Sequence, residues 1–105
     1  MKSHAVAVSV FLATANCACA GSVSDMEALR IVHKHCVTCH TANPTHESFR
    51  EAPKNIILET VTDLKKYAAV IFVQTVQTKA MPLGNQTDMT DDERATLGRW
   101  VKELP

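Results

Sequence analysis

The sequence predicts a small all-α domain of about three to four helices. Apolar residues recur at helical spacing in three segments, around 28–36, 64–76 and 97–104. Ser24-Asp25-Met26-Glu27 and Thr90-Asp91-Asp92-Glu93 both read as capping boxes that open helices. A chain of 105 residues fits one such domain, which buries only a limited core unaided.

Residues 1–20 are expected to lie outside the fold, as a secretory signal peptide. Lys2, with His4, makes a short positive region. Ala5 to Ala15 is apolar, and Ala18-Cys19-Ala20 offers a small-residue cleavage site before Gly21. The apolar run is about half of the ~20 residues that a membrane span requires. Cys17 follows Thr14-Ala15-Asn16, a poor lipoprotein signal, so Cys17 and Cys19 are expected to leave with the leader. The domain is then 21–105, and its cysteines are Cys36 and Cys39 alone.

The first helix should run from Asp25 to about Cys36, with Ala28, Leu29, Val32 and Cys36 on one stripe. It delivers Cys36-Val37-Thr38-Cys39-His40, the C-x-x-C-H signature of covalently attached c-type haem. Two thiols at that spacing can reach the two vinyl groups of one porphyrin, and the adjacent imidazole falls beneath the iron as an axial ligand. Covalent haem is attached outside the bacterial inner membrane, in agreement with an exported chain. The 5% aromatic content is consistent with a porphyrin standing in for several large side chains. His33 and His35 share a polar stretch with Lys34 and are expected to be solvated.

Thr41 to Asn55 reads as a loop, with Pro44 and Pro53 and no sustained period. His46 within it is expected to be exposed. Arg50 or Lys54 would pair with a haem propionate or stand free at the surface. Ile56-Ile57-Leu58 should tuck against the haem or the core. A second helix is expected from Thr60 or Thr62 to about Lys79, with Leu64, Ala68, Ile71 and Thr75 on one stripe. Ala69, Phe72, Val73 and Val76 form a second stripe beside it, an apolar face wide enough to pack between haem and another helix. Tyr67 is left between a propionate contact and ordinary packing. Pro82 and Gly84-Asn85 break this helix at Met81, where a side chain can be aimed inward. The last helix carries Leu97, Trp100, Val101 and Leu104. Gly98 within it costs ~1 kcal/mol against Ala, a cost that close approach of another helix would offset.

A capped helix leading into C-x-x-C-H, a later Met-Pro loop and a terminal helix with an aromatic residue together resemble class I monohaem cytochromes c. More narrowly, Ala80-Met81-Pro82-Leu83-Gly84-Asn85, Met89-Thr90-Asp91-Asp92-Glu93-Arg94 and Leu97-Gly98-Arg99-Trp100-Val101 are similar to the C-terminal cytochrome c domain of bacterial membrane-bound urate hydroxylases (urate oxidases). The match covers only that cytochrome domain, and no counterpart of the membrane-embedded catalytic part of those proteins is expected within these 105 residues. The resemblance implies helices wrapped around one haem, with Cys36 and Cys39 as thioether attachments and His40 as proximal ligand. It implies that the second ring nitrogen of His40 donates to a backbone carbonyl, often a loop proline's, where Pro53 fits better than Pro44. Met81 is the expected sixth ligand and Met89 the alternative, whose other role is a staple on the last helix.

With both axial positions filled the iron would carry single electrons, and no catalytic residues are required. The function expected is therefore a soluble, exported, periplasmic electron carrier rather than an enzyme. Its partners would be an electron-donating dehydrogenase or oxidase and a respiratory acceptor, and a monomer is expected. The alternative is a haem-based sensor with an open or displaceable sixth position. Zinc is the weakest reading, since there is one Cys pair and no second pair of ligands at finger spacing. Eleven basic and eleven acidic residues leave no net charge, which argues against nucleic acid and a polybasic membrane patch.

Overall fold

The computed structural model describes residues 21–105, together with Ser3 and Ala5. Apart from Ser3 and Ala5, the proposed leader, with Cys17 and Cys19, thus lies outside the described residues. Within them the fold is helical, with no strand. In chain order the elements are α1 (Asp25–His35), α2 (Val61–Lys66), α3 (Ala68–Phe72) and α4 (Asp91–Glu103). A π-helical turn, Val73–Gln77, continues α3, and single 3-10 turns occupy Pro53–Asn55 and Leu83–Asn85. No helix among the described residues is long and apolar enough to cross a membrane.

Each helix start has a local cause. Ser24 caps α1 by accepting from Glu27 N–H at 3.1 Å, but Glu27 does not return the bond, so the expected box is half formed. Thr60 and Asp63 form a complete box at the start of α2, and Thr90 and Glu93 form another at α4. The long second helix expected from the sequence is interrupted. Tyr67, at φ −106° and ψ 17°, leaves helical geometry and divides α2 from α3. Its N–H still bonds Asp63 O at 3.0 Å and its carbonyl receives Ile71 N–H at 2.9 Å, so the two helices stay joined.

The core is built from Ala28, Ile31 and Val32 of α1, Leu58 of the preceding loop, Leu64, Ala68 and Ile71 of α2 and α3, and Leu97 and Trp100 of α4. The stripe Leu64, Ala68, Ile71 and Thr75 is buried throughout, as its period requires. The second stripe is not. Ala69 and Val73 are exposed, while Phe72 and Val76 turn toward Gly98 of α4. A Cβ built on Gly98 would stand 3.4 Å from Val76 Cγ1 and 3.7 Å from Phe72 Cε2. Two further contacts tie α4 to the front of the chain. Trp100 Nε1–H donates to Asp25 Oδ1 at 3.0 Å, and Glu103 Oε2 accepts from Val23 N–H at 3.1 Å.

Candidate functional site

The C-x-x-C-H run leaves the end of α1 as a tight turn. Cys36 N–H closes the helix on Val32 O at 2.8 Å, and His40 N–H bonds back to Cys36 O at 2.9 Å. The turn puts Cys36, Cys39 and His40 on the wall of one cavity, together with Phe49, Pro53, Met81 and Pro82. A second cavity adjoins it, lined by Cys36, His40, Pro53, Ile56, Leu58, Tyr67, Ile71 and Met81, among others. Cys36, His40, Pro53 and Met81 border both, so these are two lobes of one hollow. The lobes hold about 550 and 670 Å³, open space at their mouths included. Both lobes are largely apolar, as cofactor sites commonly are.

His40 is oriented from the far side of the loop. Its Nδ1 lies 3.0 Å from Ile56 O. A carbonyl only accepts, so Nδ1 carries a proton, and in the neutral ring Nε2 is left with the lone pair that can ligate a metal. His40 O in turn receives Leu58 N–H at 2.9 Å. The carbonyl expected from Pro53 is thus supplied by Ile56, three residues on. Pro53 serves as a cavity wall and opens the 3-10 turn that brings Ile56 into place. Lys54 borders the second lobe with its backbone at φ 55°, and Arg50 is exposed and borders neither lobe. Tyr67 is half-buried on the wall of the second lobe.

Cys36 and Cys39 are free thiols. Burial, with a smaller effect from nearby Cys39, pushes the Cys36 thiol up to about 12. A thiol held neutral in this way is unlike the low-pKa thiolate of a redox-exchange cysteine. Among the described residues no three His, Cys, Asp or Glu side chains converge as a metal site, so the pair finds no further ligands for a tetrahedral zinc.

Met81 and Met89 have different surroundings. Met81 is half-buried and borders both lobes. Met89 is 4% exposed, belongs to the core and borders neither lobe. Asn85 clamps its main chain, accepting from Met89 N–H at 2.9 Å and donating to Met89 O at 3.2 Å. The Met81 main chain is docked on the end of the preceding helix. The last carbonyls of any helix lack internal partners. Here Gln74 O takes Met81 N–H at 2.9 Å, and Thr75 O takes Arg94 Nη1–H at 2.7 Å. The same Nη1 donates to Met81 O at 2.9 Å. Arg94 is 6% exposed, and sequence reasoning missed it.

His35 was also missed. Expected at the surface, it is 2% exposed, because it lies one turn beyond Ile31 and two beyond Ala28 on the inward face of α1. Its Nδ1 is 2.7 Å from Thr87 Oγ1, and its Nε2 lies 2.9 Å from Glu93 Oε1 in an off-axis approach. Burial works against the Glu93 charge, but the Thr90 N–H bond, His35 and Lys34 outweigh it and draw the carboxyl down to about 2. His33 is exposed as expected, donating from Nε2 to Glu59 O at 2.6 Å. His46 is half-buried rather than free. It packs on Phe49, with ring centroids 5.5 Å apart, and its Nε2 lies 3.0 Å from Gln86 Oε1.

No protein-family model matches the chain, and no curated protein or solved structure matches it with significance.

Proposed function

We propose that this chain is a class I-type monohaem cytochrome c that carries single electrons. One observation supports this most. Two thiols, an imidazole with its Nδ1 already engaged and a methionine all border one apolar hollow. Those residues fit a haem. Cys36 and Cys39 would hold it by thioethers, His40 Nε2 would ligate one face of the iron and Met81 the other. The haem supplies one-electron exchange between ferric and ferrous iron.

The chain's own residues define the rest. Ile56 O fixes the His40 ring and makes it a stronger donor to a metal. The Met81 thioether is a soft ligand that favours ferrous iron, which predicts a comparatively high reduction potential. Ile56, Leu58 and Ile71 keep water from one face of the hollow. In this reading the protein is exported to the periplasm, where it accepts electrons from a dehydrogenase or oxidase and passes them to a respiratory acceptor. Such partners dock transiently on small surfaces. The similarity to the cytochrome domains of urate hydroxylases makes urate oxidation one source of electrons to test.

The purified protein, exported with its leader in a host that matures c-type cytochromes, tests this directly. Its colour should remain with the polypeptide after denaturation in acidic organic solvent. Haem released into that solvent contradicts thioether attachment. Ready binding of carbon monoxide by the reduced wild type would point instead to a sensor.

A further inference from the structure

Arg94 is a buried cation whose three hydrogen-bond partners are all neutral oxygens. Nη1 bridges Thr75 O at 2.7 Å and Met81 O at 2.9 Å, and Nη2 lies 3.5 Å from Asn85 Oδ1. Burying a guanidinium is costly unless its donors are satisfied. A cation is favoured here because the end of a helix gathers partial negative charge on its free carbonyls. The position of the bridge is specific. One arm holds the helix end at Thr75, next to the Gln74 carbonyl that takes Met81 N–H. The other arm holds the carbonyl of Met81 itself. Met81, one of the residues that border both lobes, is therefore fixed on both sides of its Cα by a helix end and a buried charge.

We propose that Arg94 is a positioning residue for the sixth ligand: it latches the Met81 loop closed and so sets how readily another ligand displaces the thioether. This rests on the His40/Met81 reading. Displacing the thioether requires the loop to open. Open and closed forms then compete, and the apparent affinity for an incoming ligand scales with the open fraction. A charge-assisted hydrogen bond is strong enough that its loss should raise that affinity roughly tenfold to a hundredfold.

The experiment is imidazole binding to the ferric protein, followed by its visible spectrum, in a double-mutant cycle. Arg94→Gln should bind imidazole at least roughly tenfold more tightly than wild type, with a weakened sulfur-to-iron band and a lower reduction potential. Arg94→Lys keeps the charge on a shorter stem and should fall between. In a Met81→Ala background, Arg94→Gln should change the affinity little, because the competing ligand is gone. An equal effect in both backgrounds would mean a general packing role and would overturn the proposal, as would no effect in either. If Met81→Ala alone leaves the spectrum and the imidazole affinity unchanged, the His40/Met81 reading itself fails, a distinct outcome. Hydrogen exchange in the wild type requires no variant. The Arg94 guanidinium protons should be protected as strongly as the Met81 amide. Free exchange at Arg94 beside a protected Met81 amide would also rule out the latch.

Discussion

At the scale of single residues, charge is concentrated where the end of α1 meets the start of α4. Glu93 completes the cap of α4 and faces buried His35, with Lys34 3.4 Å from its second oxygen. Its carboxyl stands at about 2 in the folded protein against an ordinary 4.5. The folded state therefore binds fewer protons at this group than the unfolded chain does. The stabilisation is present in full above the ordinary value and is lost as pH falls through about 2. Urea midpoints measured from pH 5 down to 2 should fall for the wild type, and Glu93→Gln should flatten that slope while lowering stability at pH 7. An unchanged slope would remove Glu93 from the acid response. His35 shows why this cluster was hard to read. Its neighbours in sequence are polar, but its partners Thr87 and Glu93 come from distant segments. The one local signal was its helical register with Ala28 and Ile31.

Helical elements follow their sequence signals closely where those signals are local. The caps at Ser24, Thr60 and Thr90 depend on residues within one turn, and each opens its helix where the spacing puts it. The second helical stretch, by contrast, ends at Gln77, short of the expected Lys79, and Pro82 instead opens the next 3-10 turn. The division of α2 from α3 at Tyr67 was not legible, because no proline or glycine marks it. Gly98 was legible as a close approach, and the structure measures how close. The 3.4 Å from its built Cβ to Val76 Cγ1 is ordinary contact, so one methyl fits. Gly98→Ala should therefore stabilise α4 by up to about 1 kcal/mol through helix propensity. Gly98→Val should lose at least that much against Val76 and Phe72, by overpacking costs of about 1–3 kcal/mol. Thermal unfolding of both variants checks the pair. At the start of α2, Thr60→Ala should cost about 1 kcal/mol, from the loss of its bond to Asp63 N–H.

Across the whole molecule, the end of α1, the loop from 46 to 58, the segment from Tyr67 to Thr75 and the Met81 loop converge on one hollow. Cys36, Cys39, His40 and Met81, which all border this hollow, could be singled out in sequence because C-x-x-C-H and Met-Pro are local patterns. What supports them could not. His40 reaches Ile56 across 16 positions and Arg94 reaches Met81 across 13, and such pairings depend on the packing of separate elements. A haem held in that hollow would add apolar burial that the 85 residues from 21 to 105 can only partly provide. Cys36→Ser with Cys39→Ser should accordingly yield a chain that unfolds at far lower temperature and keeps no covalent colour. The claim on which function turns is that Met81 occupies the sixth position. The ferric visible spectrum of wild type, Met81→Ala and Met89→Ala tests it most directly. The weak far-red sulfur-to-iron band should be present in the wild type, absent in Met81→Ala and retained in Met89→Ala. A band that survives Met81→Ala would contradict the account.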